Sequence, residues 1–127
     1  MREIRTNEAP AAIGPYSQGI EVSPKGMFFF SGQLGIDPQT GSLAPGGIDA
    51  ETRQALTNVK NLLASQGMNF DSVVKVTVFL SGMEHFESMN KIYSTHFPNF
   101  RPARSCVAVK GLPKSALVEI EVVAVKE

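Results

Sequence analysis

The stretch that most constrains this fold is Met27–Gln33. It reads as a strand, and its period of two sends Phe28, Phe30 and Gly32 to one face and Met27, Phe29, Ser31 and Gln33 to the other. Both faces carry large apolar groups, so both call for a cover. A helix can supply one cover and a second copy of the chain the other. Ser72–Leu80 repeats the theme: Val74, Val76, Val78 and Leu80 alternate with Val73, Lys75, Thr77 and Phe79.

Other elements follow from punctuation and period. Residues 2–6 are compatible with a short edge strand, and Asn7–Pro15, with two prolines and a glycine, reads as a loop. Tyr16–Val22 is a strand candidate that the turn cluster Ser23-Pro24-Lys25-Gly26 joins to Met27–Gln33, which predicts a hairpin. After a Gly/Pro-rich loop over 37–47, Asp49 is a candidate N-cap with Glu51 in the first turn. Leu56, Val59, Leu62 and Leu63 recur at helical spacing up to Gly67, which predicts a helix over 49–66. Phe86, Met89, Tyr93 and Phe97 form a second helical stripe over 84–97, stopped by Pro98. Strands over 103–110 and 116–125 close the chain. About five good strands and two helices predict an α+β layer, both helices on one face of a mixed sheet. The other face is then expected to be buried between subunits.

At 127 residues the chain is expected to be one domain, 1–127. Twelve basic residues balance twelve acidic ones with no block of like charge, which speaks against a nucleic-acid footprint or a membrane-surface helix. The polar N-terminus has no secretory signal, and the apolar runs are too short to span a bilayer. One cysteine and two histidines cannot supply a disulfide framework or a regular zinc site. Dinucleotide, phosphate-loop, zinc-protease and nucleophile-elbow motifs are missing. The expectation is a cytoplasmic protein using no metal or other cofactor.

Candidate chemistry gathers at Arg101-Pro102-Ala103-Arg104-Ser105-Cys106-Val107. In a strand Arg104 and Cys106 share one face, while Ser105, Val107 and Val109 take the other, which reads as core. If the last two strands are antiparallel neighbours about a turn at Gly111-Leu112, Arg104 stands opposite Glu119 on the same face. An arginine binds a carboxylate through two parallel hydrogen bonds and keeps its charge. A glutamate can direct a water and take its proton. The pair could thus hold a small organic acid and add water to it. A plain Arg104–Glu119 salt bridge is the commoner outcome of such a pattern and carries no function. Cys106 lacks a nearby base in the pattern and reads as an inert thiol whose backbone N–H stays available. Tyr16 and Asn90 are softer candidates, as is the interruption Ser31-Gly32, where glycine in a strand marks a bulge or a close approach.

Several segments together carry a family resemblance: Ala9-Pro10-Ala11-Ala12-Ile13-Gly14-Pro15-Tyr16-Ser17-Gln18-Gly19, Ser31-Gly32-Gln33, Asp37-Pro38-Gln39-Thr40-Gly41, Asn58-Val59-Lys60, Pro102-Ala103-Arg104-Ser105-Cys106-Val107, Leu112-Pro113-Lys114 and Glu119-Ile120-Glu121. The chain resembles the Rid (reactive intermediate deaminase, YjgF-like) family in its enamine/imine deaminase branch. The resemblance implies a chorismate-mutase-like α+β fold, with a mixed sheet of about six strands and two helices on one face. It also implies a homotrimer with active sites in clefts between subunits. The activity it implies is hydrolysis of 2-iminobutanoate and 2-iminopropanoate, products of PLP-dependent dehydratases, to 2-oxo acids and ammonia without a cofactor. By residue match, Arg104 would clamp the substrate carboxylate and Glu119 would activate water. Tyr16, Ser31, Gly32 and Cys106 would line the pocket, with Asn90 contributed by a neighbouring chain. A non-catalytic carboxylate-binding trimer and a ribonuclease or translation inhibitor are the rival readings.

Overall fold

The computed structural model describes residues 1–127. The elements run β1 (Arg2–Ile4), β2 (Gly19–Glu21), β3 (Gly26–Leu34), β4 (Ile36–Asp37), β5 (Ser42–Leu43), α1 (Gly47–Ser65), β6 (Val73–Leu80), α2 (Phe86–His96), β7 (Ala103–Ala108) and β8 (Val118–Lys126). Single 3-10 turns at Phe70–Ser72, Met83–His85 and Pro113–Ser115 join the longer elements.

The fold is α+β: two helices packed on a mixed sheet. That sheet has four strands in the order β3-β8-β6-β7, rather than about six. β6 and β7 are parallel, and both other pairings are antiparallel. A parallel neighbour requires a crossover, and α2 makes it from β6 to β7. α1 makes a second crossover from β3 toward β6, leaving a gap that the last strand, β8, fills. This insertion overturns the expected adjacency of the last two strands: β6 separates β7 from β8. The expected hairpin from 16–22 to 27–33 does not form either, because β2 pairs with β1.

Both helices lie on the face built from Val76, Val78 and Leu80 of β6 and Val118, Ile120, Val122 and Ala124 of β8, all buried against Ala55, Leu56, Val59, Leu63, Met89 and Tyr93. The apolar stripe expected on the second helix is the buried one: Met89, Tyr93 and Phe97 are fully covered and Phe86 partly. α1 starts two residues before the expected cap. Gly46 takes φ 124 and leaves Asp49 inside the first turn, where its charge meets the helix dipole. Gly67, at φ 70, ends the helix as expected, with the Met68 N–H donating to the Leu63 carbonyl at 2.9 Å.

The opposite sheet face carries no helix. Phe29 is 73% exposed there, Met27 51% and Val107 44%. Ser105 and Val107 therefore do not form core as expected, because the helices cover the Arg104–Cys106 face instead. Neither helix is long and apolar enough to cross a membrane.

Candidate active site

Register fixes where the candidate residues point. Arg104 is the partner of Val76, and Cys106 of Val78, so both side chains leave β7 on the helix face. On that face the guanidinium meets α2. Phe86, Asn90 and Tyr93 sit four and three residues apart on one helical face. Arg104 Nη1 donates to Asn90 Oδ1 at 2.7 Å. The Arg104 guanidinium carbon lies 4.6 Å from the Tyr93 ring centre, 5.8 Å from Tyr16 and 5.9 Å from Phe86, within cation–π range of three rings. Asn90 is thus a partner of Arg104 in the same chain, whereas the resemblance implied a neighbouring one.

Tyr16 reaches this place because its loop is stapled to the start of β7. The Ser17 N–H donates to the Pro102 carbonyl at 3.2 Å, Ser17 Oγ–H donates to the Arg101 carbonyl, and Ser17 bridges Ala103 in parallel. The Tyr16 hydroxyl accepts from the Ile13 N–H at 3.3 Å. Ile13, Gly14, Tyr16, Phe86, Asn90, Arg104 and Cys106 line a cleft of about 320 Å³. No carboxylate pairs with Arg104. A fixed cation held by rings and one amide in a small cleft can receive an anion, and its planar fork suits a carboxylate.

Burial pushes the Cys106 thiol above its ordinary range, and the nearby Arg104 charge only partly offsets this. Such a thiol is a poor nucleophile. Burial likewise drives the Tyr93 phenol far upward, against the pull of Arg104. The Tyr93 hydroxyl has no hydrogen-bond partner. Its contribution at this site is therefore its ring.

Glu119 lies elsewhere in the chain. It is the partner of Phe79 on β6 and of Leu34 on β3, and it alternates with the buried Val118 and Ile120. Its side chain leaves β8 on the bare face, opposite Arg104 and two strands away, about 10 Å in the hydrogen-bonding direction. The expected same-face Arg104–Glu119 pair does not exist within one chain, and neither does the salt bridge. Glu119 instead meets Gly32. β3 carries a bulge between Phe30 and Gln33 that shifts the alternation, so Gly32 turns from the Phe28–Phe30 face toward Glu119. A Cβ on Gly32 would lie 2.8 Å from Glu119 Cδ and 2.9 Å from Cγ. Exposed Ser31 adjoins this second group, and Gly32, Glu119 and Asn58 share a cleft. The candidates thus form two constellations: Tyr16, Asn90, Arg104 and Cys106 on one face, Ser31, Gly32 and Glu119 on the other. Phe86 and Tyr93, read from sequence only as helix core, belong to the first; their spacing about Asn90 was the available signal.

Comparison with known proteins decides the lineage. A family model described as endoribonuclease L-PSP matches residues 6–126. The chain belongs to this family. Among relatives of the L-PSP family chain, the mouse protein named 2-iminobutanoate/2-iminopropanoate deaminase is 46% identical over 97% of this chain and 90% of its own length. A RutC family protein of Pyrococcus horikoshii is 45% identical, with both chains fully covered. A Rid family protein from Yersinia pestis has a solved structure that superposes with TM-score 0.78 at 44% identity, over 98% of each chain. The Escherichia coli TdcF structure with bound serine superposes with TM-score 0.77 at 38% identity over the whole of both chains. The YjgF-like resemblance read from the sequence is thereby established, and with it the α+β fold.

Proposed function

We propose that the protein is a hydrolytic deaminase of short-chain 2-imino acids, releasing 2-oxo acids and ammonia. One observation carries this reading: Arg104 is an unpaired guanidinium held by three rings and Asn90 in a small cleft, in a chain 46% identical to a protein named for this activity. The serine in the TdcF structure is a compact 2-amino acid of similar size to such substrates and supports the size of ligand proposed.

In this reading the site is completed between copies of the chain. The Arg104 cleft of one copy faces the Ser31–Gly32–Glu119 group of a neighbour, and the bare sheet faces, with Met27, Phe29 and Val107, close inward in a homotrimer. Arg104 clamps the carboxylate through two charge-assisted hydrogen bonds. The backbone N–H of Cys106 and the groups at Tyr16, Ser31 and Gly32 line the pocket. Glu119 orients a water and takes its proton as the oxygen bonds to C2 of the imine. The imine nitrogen gains that proton to give a carbinolamine, whose hydroxyl proton then passes to the amino group as the C–N bond breaks, the C=O bond forms and ammonia leaves. The net change is one imine and one water to one 2-oxo acid and one ammonia. An imine is already electrophilic, so placement and a directed water supply the chemistry. PLP-dependent dehydratases acting on serine or threonine are the source proposed for such imines, and the cytoplasm is the compartment this implies.

A coupled assay tests the reading. Threonine dehydratase generates the imine in the presence of semicarbazide; added protein is expected to speed 2-oxo acid release and lower trapped imine. A bound 2-oxo acid with no acceleration would favour the carboxylate-binding alternative that the serine-bound relative also suggests. RNA cleavage surviving loss of Arg104 and Glu119 would point to a contaminant, since charge is balanced at twelve of each sign. Size measurement of the wild type and of Phe29→Glu tests the trimer; the variant is expected to run as a smaller species.

A further inference from the structure

α1 carries two polar residues that grip the strands behind Glu119. Glu51 is 6% exposed, the only buried carboxylate in the chain. A buried carboxylate needs hydrogen bonds to be tolerated, and Glu51 Oε1 accepts one from the Leu117 N–H at 2.9 Å, immediately before β8. At the same level Gly35, just past β3, presses on the helix. A Cβ there would lie 2.5 Å from the Glu51 carbonyl oxygen and 2.6 Å from its Cα, so only glycine permits this approach. Seven residues along the helix, Asn58 Nδ2 donates to the carbonyls of Leu34 at 3.1 Å and Ile36 at 2.8 Å. Its Oδ1 is held by Gln54 Nε2 at 2.9 Å.

These contacts bracket one cross-strand pair. Leu34 is the partner of Glu119. α1 therefore holds the junction of β3 and β4 at residues 34–36 and the entry to β8 at residue 117, two residues before Glu119. A clamp is needed at this point because the bulge between Phe30 and Gln33 interrupts the ladder that would otherwise set the two strands against each other.

We propose that Glu51 and Asn58 are positioning residues that hold Glu119 over Gly32 for the reaction. The functional part rests on Glu119 being the water-activating group; the structural part does not. Glu51→Gln keeps an acceptor for the Leu117 N–H, whereas Glu51→Ala removes it. In the coupled assay Glu51→Ala is expected to lose about tenfold or more in kcat, with KM within about twofold, because the carboxylate clamp at Arg104 lies elsewhere. Glu51→Gln should rescue kcat. Asn58→Ala, at a half-buried position, should lose kcat in the same sense and supplies the test if Glu51→Ala does not fold.

The second measurement needs no turnover. Crystal structures of the wild type and variants give the distance from the Glu119 carboxyl carbon to Gly32 Cα. Glu51→Ala and Asn58→Ala are expected to shift that carboxyl by about 0.5 Å or more; Glu51→Gln is expected to leave it in place. An unmoved Glu119 in folded Glu51→Ala and Asn58→Ala overturns the proposal, whatever happens to kcat or melting temperature. A moved Glu119 with wild-type kcat overturns the functional part. If the wild type itself does not deaminate imines, the proposed function fails, and the position of Glu119 alone decides the clamp.

Discussion

Replacing Gly32 by alanine adds a single methyl group where Glu119 now lies. The new Cβ would stand 2.8 Å from Glu119 Cδ, 2.9 Å from Cγ and 3.0 Å from Oε1. Ordinary contact begins near 3.4 Å, so the carboxyl carbon must retreat by at least about 0.6 Å. All three obstructing atoms belong to one side chain, and the backbone of Gly32 is outside the left-handed region, so the strain is taken up by Glu119 turning away. Leaving its rotamer costs about 0.5–1.5 kcal/mol, which for a chain of 127 residues lowers Tm by roughly 2–8 °C. The functional cost is larger. A misplacement of about 1 Å can cost roughly a hundredfold, so a displacement of this size should lower kcat by about 10- to 100-fold. KM should change little, because in the proposed site the substrate carboxylate is held by Arg104 of a neighbouring copy, whose position the added methyl group does not touch. The assay is steady-state imine hydrolysis beside thermal melting, with Glu119→Gln and the double variant Gly32→Ala/Glu119→Gln. If alanine acts through Glu119, it adds almost nothing in the double variant. A folded Gly32→Ala protein with wild-type kcat would refute the reasoning.

Four other perturbations separate the roles around Arg104. Arg104→Ala should remove two charge-assisted bonds worth about 1.5–3 kcal/mol each, a loss of roughly 10²–10⁴ in kcat/KM, while the melting curve shows an intact fold. Arg104→Lys keeps the charge but loses the planar fork, so it should remain at least about tenfold impaired in kcat/KM; full recovery would show that charge alone suffices. Tyr93→Phe deletes a buried hydroxyl with no partner and keeps the ring under Arg104, so stability should rise by about 1 kcal/mol; a lowered Tm would show that the hydroxyl is bonded in solution. Because burial raises the Cys106 pKa, less thiolate is present at any given pH than for a free cysteine. Its alkylation at pH 8 should be slower than that of free cysteine and still climb steeply above pH 9; fast labelling at pH 7 would contradict this.

The helices and most strands were legible because each records a local condition. The stripe Phe86, Met89, Tyr93 and Phe97 records one buried helical face. Gly67 records a left-handed helix end. The alternation over Ser72–Leu80 records a pleat with a helix-covered side. The two apolar faces of Met27–Gln33 called for a cover on each side; the helices supply one, and Met27 and Phe29 stand exposed on the other. Arg104, Cys106 and Asn90 could be singled out as chemical groups for the same local reason.

Their relative placement was not legible. Strand order depends on which partners bury the most surface after the whole chain collapses, and β8 inserting between β3 and β6 leaves no mark in the residues between Val109 and Leu117. That insertion sends Arg104 and Glu119 to opposite faces. It also makes Val107 surface and Cys106 part of the covered side. The bulge that turns Gly32 toward Glu119 adds one residue to a strand and so reverses the parity on which any alternation argument rests. The helices, the longer strands, the chemical groups and the family could be read from the residues alone. That those groups separate onto two opposite faces of the sheet emerged only with the packed fold, because a face is a property of a strand's neighbours as well as of its own pattern.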